Sequence, residues 1–200
     1  MAREEQRGST PKGVAKRAEI LRAALRLYGE ADQQQAPSLK QIADAVGLTE
    51  AGVLHYFDSK DDMLLSVLAM RDEVARELFD MDTWEGSYRA LKQTYETPGE
   101  VKLYVDMLVA SANTGHPAHA FMNARNDRLQ ARLRSLLGEA GADGWLPRTL
   151  VATLEGLQLQ WLRDPSLDVV EDMRRLHEVL VLPALQQQHS TGRPADQDAE

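Results

Sequence analysis

The segment from Ser38 to Lys60, SLKQIADAVGLTEAGVLHYFDSK, constrains the fold of this chain more than any other. Two short helical patterns are joined there by a glycine, and a third helix start follows at once. Ser38 with Gln41 three residues later has the form of a capping box, and Leu39, Ile42, Ala43 and Val46 supply the apolar stripe of one short helix. Gly47 should end that helix, because glycine reaches positive φ without a Cβ penalty, and Thr49 is a good N-cap for the next. The small Ala43 lets the two helices approach closely. In the second helix, expected from Glu50 to about Tyr56, Val53 and Phe57 share a spacing of four that suits a core face. Glu50, Ala51, Gly52, Leu54, His55 and Tyr56 are then left for other work. This is the pattern of a helix-turn-helix, whose second helix enters the major groove by its N-terminal end, so double-stranded DNA is the expected partner.

The run from Ala15 to Leu65, containing AEILRAALRLYGE and then SLKQIADAVGLTEAGVLHYFDSKDDML, resembles the DNA-binding domain of the tetracycline-repressor (TetR) family of transcriptional regulators. Ile20, Leu21, Ala23, Ala24, Leu27 and Tyr28 match the paired apolar and alanine positions of its first helix. His55, Tyr56 and Phe57 match the aromatic cluster that ends its recognition helix, and Lys60 matches the lysine that opens its fourth. Leu54 departs from the pattern: the family often has a tyrosine there, so the contact made by that ring is not carried over. The resemblance covers about a quarter of the chain. It implies an all-α fold of about nine helices, with an N-terminal three-helix DNA-binding domain and a C-terminal ligand-binding and dimerisation domain. It further implies a repressor that binds a palindromic operator as a homodimer and is released by a small-molecule effector.

The expected DNA-binding set is Ser38, Lys40, Thr49, Glu50, Ala51, Gly52, Leu54, His55, Tyr56 and Lys60. Ser38 and Thr49 would turn hydroxyls and helix N–H groups toward phosphates, with Tyr56 and Lys60 flanking the same backbone. Glu50 suits a cytosine amino group and Ala51 a thymine methyl, while Gly52 would let the helix approach the groove closely. Two alternatives stay open: Glu50 meets a base or serves only the helix dipole, and His55 either meets a phosphate or packs under the turn. With so few direct contacts, operator shape is expected to matter.

A net charge of −8 at first argues against DNA, but its distribution removes the objection. Residues 1–60 hold nine Lys and Arg against eight Asp and Glu, whereas residues 61–200 hold fourteen against twenty-three. Arg3, Arg7, Lys12, Lys16 and Arg17 precede or begin the first helix, where a basic arm adds affinity without selectivity. The 200 residues, 43% of them hydrophobic, suffice for one ordinary domain or two small ones. No apolar run is long enough to span a bilayer, and MAREEQR is not followed by a signal-peptide hydrophobic region, which points to a cytoplasmic protein with no membrane partner. The absence of cysteine excludes a disulfide framework and a Cys-based zinc site.

Beyond the reader the pattern is helix after helix, without a convincing period-2 strand. Ser59 and Asp62 suggest a second capping box, opening a connector helix over residues 59–80. Further helices are expected over Met81 to Glu96, Glu100 to Asn113, Ala118 to Leu137, Trp145 to Arg163 and Ser166 to Gln187, with Thr97, Pro98 and Gly99 as a break. The implied organisation is a flexible basic arm (1–13), a DNA-binding domain (14–60), an effector-binding and dimerisation domain (81–187) and a disordered polar tail (188–200).

The last two helices are apolar over wide arcs, which predicts a second surface to cover them. Leu154, Gly156, Leu157, Trp161, Met173, Leu176 and Leu180 are the expected dimer contacts, against the alternative of an intramolecular core alone. Trp84, Tyr88, Tyr104, Met107, Leu108, Phe121, Met122, Arg125, Gln158 and Trp161 are candidates to line an effector site, mixing aromatic and soft apolar walls with few polar handles. No cofactor, metal or enzymatic activity is expected. His116 and His119, with Asp106 or Glu100, lack the spacing of a helical zinc pair, and capping with surface exposure accounts for them better. No nucleophile elbow, phosphate loop or HExxH motif occurs. The rival function is a DNA-binding architectural or interaction protein of the same fold with no small-molecule effector.

Overall fold

Thr10 opens the first helix, accepting a hydrogen bond from the Gly13 N–H while Pro11 takes a first-turn position where its missing N–H costs nothing. The computed structural model describes residues 10–32 and 35–191, and every regular element among them is helical. The order is α1 (Pro11–Glu30), α2 (Leu39–Ala45), α3 (Glu50–Leu54), α4 (Lys60–Leu78), α5 (Trp84–Tyr95), α6 (Pro98–Ala110), α7 (Pro117–Leu137), a 3-10 turn (Gly138–Gly141), α8 (Trp145–Trp161), α9 (Val169–Leu176), a π turn (His177–Val181) and α10 (Leu182–Thr191). Residues 11–13 of the expected arm are thus helical, whereas Arg3 and Arg7 lie outside the described residues. The last helix likewise runs to Thr191, into the expected tail, and the rest of that tail lies outside the described residues.

By packing, the chain divides into two compact units. The first runs to Met81 and adds Glu85–Ala124, so α5, α6 and the first turns of α7 group with the helix-turn-helix rather than with the later helices. In its core, Ile20, Leu21, Ala24 and Tyr28 of α1 are buried, as are Met63, Leu64, Val67 and Leu68 of α4 and Val101, Tyr104 and Val105 of α6. Each set recurs every three or four residues, the period that puts one face of a helix inside. The expected break falls where it should, α5 ending at Tyr95, but the next helix starts two residues earlier than Glu100: Pro98 occupies the first turn of α6, a position proline favours. Next to it, Gly99 donates to the Ala31 carbonyl, and a Cβ at Gly99 would lie 2.3 Å from the Tyr28 carbonyl oxygen. Only the absence of a side chain lets α6 start against the end of α1.

The second unit combines Asp82–Trp84 with the chain from Arg125 onward. Leu133, Leu137, Leu146, Leu150, Val151 and Val181 form its core, with Trp84, Leu129, Met173, Leu176 and Leu180 packed against them. Its last long helix starts at Val169, not Ser166. Asp168 caps it by accepting from the Glu171 N–H, while Ser166 donates its N–H and hydroxyl back to Asp164. The π turn at His177–Val181 interrupts the α-helical ladder of this stretch, a feature of single-turn bulges inside helices.

Candidate nucleic-acid interface

The helix-turn-helix is built by local chemistry. Ser38 Oγ accepts from the Gln41 N–H at 3.2 Å and Gln41 Oε1 accepts from the Ser38 N–H at 2.8 Å, completing the capping box. Gly47 ends α2 with φ +66°, and Thr49 then caps α3 by accepting from the Gly52 N–H at 3.0 Å. Fully buried Ile42, Ala43 and Val53 join the two helices, with Phe57 buried just beyond. That anchorage leaves Thr49, Glu50, Ala51 and His55 exposed along one side. α3 ends at Leu54, two residues before its expected end, and Tyr56 lies beyond it with its ring edge-on to His55 at 5.6 Å.

Thr49 keeps a hydroxyl proton to donate, since capping uses only an acceptor lone pair. Ser38 Oγ also donates to Gln41 Oε1, so the hydroxyl proton offered to a phosphate is already engaged. A Cβ on Gly52 would lie 3.2 Å from Thr49 Oγ1, so the missing side chain makes room for the cap. Lys40 is exposed and hydrogen-bonded to Asp44 at 2.8 Å. That bond, with the charges of Asp44 and then Glu50, raises its pKa, so a phosphate would have to compete with a carboxylate. Leu54 is half-buried, and Lys60 is exposed at the start of α4.

Ser59 caps that helix by accepting from the Asp62 N–H, but Asp62 Oδ2 accepts from Asp58 and not from Ser59. The expected second box is therefore half a box, its other arm displaced one residue upstream. Of the basic residues that begin α1, Lys12 is exposed, whereas Lys16 donates to the Val46 carbonyl at 2.8 Å and so satisfies the C-terminal end of α2. Arg17 lies over the Phe57 ring at 4.7 Å and donates to Ser66 Oγ at 2.8 Å. Both belong to the basic group from which some phosphate contact was expected; here both make contacts within the helix-turn-helix unit.

The candidate effector residues fall in both units. In the first, Tyr104, Met107 and Met122 are buried, Tyr88, Leu108 and Phe121 half-buried, and Arg71 stands 5.7 Å from the Tyr104 ring. In the second, Arg125 is half-buried, while Trp84 meets His177 edge-on at 4.5 Å. Burial holds His177 below the usual histidine pKa, against the opposing charge of Glu178. Trp161 and Gln158 are each only 6% exposed, and among the described residues Gln158 Oε1 has no hydrogen-bond partner.

Of the expected dimer contacts, Trp161 is inside the fold and Met173, Leu176 and Leu180 pack on the core of the second unit. Leu154 and Leu157 are half-buried and Gly156 is exposed. His116 and His119 are half-buried rather than exposed, though His116 does cap, its Nδ1 accepting from the Ala118 N–H at 3.1 Å. Among the described residues no three His, Asp or Glu side chains gather as metal ligands would, and no helix is long and apolar enough to cross a membrane.

A search of the curated proteins gave no match. Among solved structures, the chain is similar to the crystal structure of NalD, the secondary repressor of the MexAB-OprM multidrug efflux pump in Pseudomonas aeruginosa. The identity is 21%, over 86% of this chain and 96% of that one, with a TM-score of 0.48, too distant to carry an argument about function. The family model described as bacterial regulatory proteins, tetR family, matches residues 20–67, the stretch from the core of α1 through the first turns of α4. Over that stretch, which holds the helix-turn-helix, the chain matches the tetR family of bacterial regulatory proteins.

Proposed function

We propose that the protein is a transcriptional repressor that binds a palindromic operator as a homodimer and is released by a small-molecule effector. The observation that carries this reading is the polarity of α3. Val53 and Phe57 anchor it from below, and Thr49, Glu50, Ala51 and His55 stand exposed above. Thr49, Tyr56 and Lys60 take the phosphates, fixing register, while Glu50 and Ala51 meet base edges in the major groove. Such a regulator works in the cytoplasm, where the chromosome is.

A five-residue helix reads few base pairs, so selectivity needs a second copy related by a two-fold axis. The exposed face of α8 supports that copy: Ala152, Gly156 and Leu159 are open to solvent, and no atom lies within 4 Å of a Cβ built on Gly156. Val179 and Leu182, on the π turn and α10, are exposed apolar residues of the same unit. The effector reading is supported by Gln158, whose buried acceptor has no partner among the described residues and so favours a ligand that donates a hydrogen bond.

Selection of bound fragments from a random DNA pool tests the proposal, with Tyr56→Ala and Lys60→Ala as controls. Enrichment of a palindrome that both variants bind more weakly is the expected result. A pool that stays random at low salt would remove the sequence-specific reading.

A further inference from the structure

His119 Nδ1 lies 2.8 Å from the Ser111 carbonyl oxygen, so that nitrogen must carry the proton and donate; His119 Nε2 then accepts from Asn123 Nδ2 at 3.2 Å. The turn after α6 is thereby fixed to the first turns of α7. His116 has the opposite tautomer. Its Nδ1 accepts from the Ala118 N–H at 3.1 Å, which leaves the proton on Nε2, 3.2 Å from Asp61 Oδ2. A neutral imidazole satisfies both partners at once. Asp61 is the second residue of α4, one position after Lys60 and within the turn capped by Ser59.

We propose that His116 is a positioning residue for DNA recognition: through Asp61 it ties the start of α7 to the start of α4 and so sets where α4 delivers Lys60 and the adjoining recognition helix. This rests on the DNA-reading function above. Local caps fix the shape of the first turn of α4, but they do not fix its place against α7. The imidazole spans that gap with a hydrogen bond to a charged acceptor, half-shielded from water.

Two substitutions separate this role from simple capping. His116→Asn keeps an acceptor near the Nδ1 position for the Ala118 N–H but cannot reach Asp61; His116→Gln keeps a donor near the Nε2 position and loses the cap. Each full-length variant is titrated with the palindrome selected from the random pool and with a scrambled duplex, alongside thermal unfolding. His116→Asn should weaken palindrome binding roughly three- to tenfold, with scrambled-duplex affinity, salt slope and melting temperature unchanged. His116→Gln should bind within about twofold of the natural chain. Asp61→Ala should match His116→Asn, and the double variant should be no weaker than either single one. Equal palindrome affinity in His116→Asn, or a loss shared by the scrambled duplex or by the melting temperature, would overturn the proposal. Failure to select any palindrome would instead count against the DNA-reading function itself.

Discussion

The guanidinium of Arg17 lies 4.7 Å from the ring centroid of Phe57, pinning the residue that ends the recognition segment against α1. The same side chain donates to Ser66 on α4, so one planar cation joins three elements of the reading head. A lysine keeps the charge but not the flat, multi-donor geometry. Arg17→Lys should therefore cost about 1 kcal/mol in urea unfolding. If Arg17→Lys unfolds at the same urea concentration as the natural chain, the contact contributes nothing and the charge alone matters.

Gly99 and Gly47 should respond to alanine for different reasons. At Gly99 the added methyl meets the Tyr28 carbonyl at 2.3 Å and the Ala31 Cβ at 2.9 Å, both parts of a packed helix end that cannot swing away. Gly99→Ala should destabilise by about 2 kcal/mol or more, through helix displacement. At Gly47 an added Cβ meets no described residue beyond its chain neighbours, and the cost is only that of φ +66° for an L residue, about 1 kcal/mol. The ranking of the two variants in one denaturation series checks both readings, and a reversed order would contradict them.

The helix-turn-helix was legible because its determinants are local. Ser38 with Gln41, Gly47 and Thr49 each act within a few residues, so the cap, the turn and the next cap could be read in order. Pro98 marked the end of α5 correctly, but a proline that ends one helix also suits the first turn of the next, and the pattern did not show that α6 begins there rather than at Glu100. Arg17 on Phe57, His116 on Asp61 and Gly99 under Tyr28 join residues far apart in the chain; nothing in the pattern of one segment announces its distant partner. Trp161 and Met173 also meet the chain's own core, and an apolar arc in the sequence does not say how much of it that core will cover.

Gly156 separates folding from assembly. With open space around it, Gly156→Ala should raise the stability of the isolated chain slightly, by up to about 1 kcal/mol from helix propensity. If α8 packs on its two-fold mate there, the same methyl should weaken the dimer. Sedimentation equilibrium should show a larger dissociation constant in a chain that melts no earlier when monomeric. An unchanged dimer would move the interface off this face.

Gln158 should be dispensable for folding. Gln158→Leu removes a buried acceptor that has no partner and leaves a side chain of similar reach, so stability should hold or rise by about 1 kcal/mol. Differential scanning calorimetry without ligand decides it; a clear fall in melting temperature would mean that the amide is satisfied in solution.

Tyr28 gives the fold an alkaline limit. Burial, and then the charge of Asp106, pushes its phenol up to about 12 from 10.0, so the folded state holds the proton where the unfolded chain has lost it. Stability is intact below pH 10 and declines as the pH climbs toward 12, by roughly 3 kcal/mol at most from this one group. Tyr28→Phe should flatten the alkaline limb of urea midpoint against pH relative to the natural chain, and parallel curves would assign the decline to other groups.

The central claim is sequence-specific binding by a two-fold dimer, and one titration meets it most directly. Fluorescently labelled palindrome, from selection, and its scrambled counterpart are titrated with the purified chain at physiological salt, with the stoichiometry read at saturation. Two chains, or a multiple of two, per palindrome with at least about a thousandfold preference over the scrambled duplex is the predicted result. One chain per site, or equal affinity for both duplexes, would contradict it.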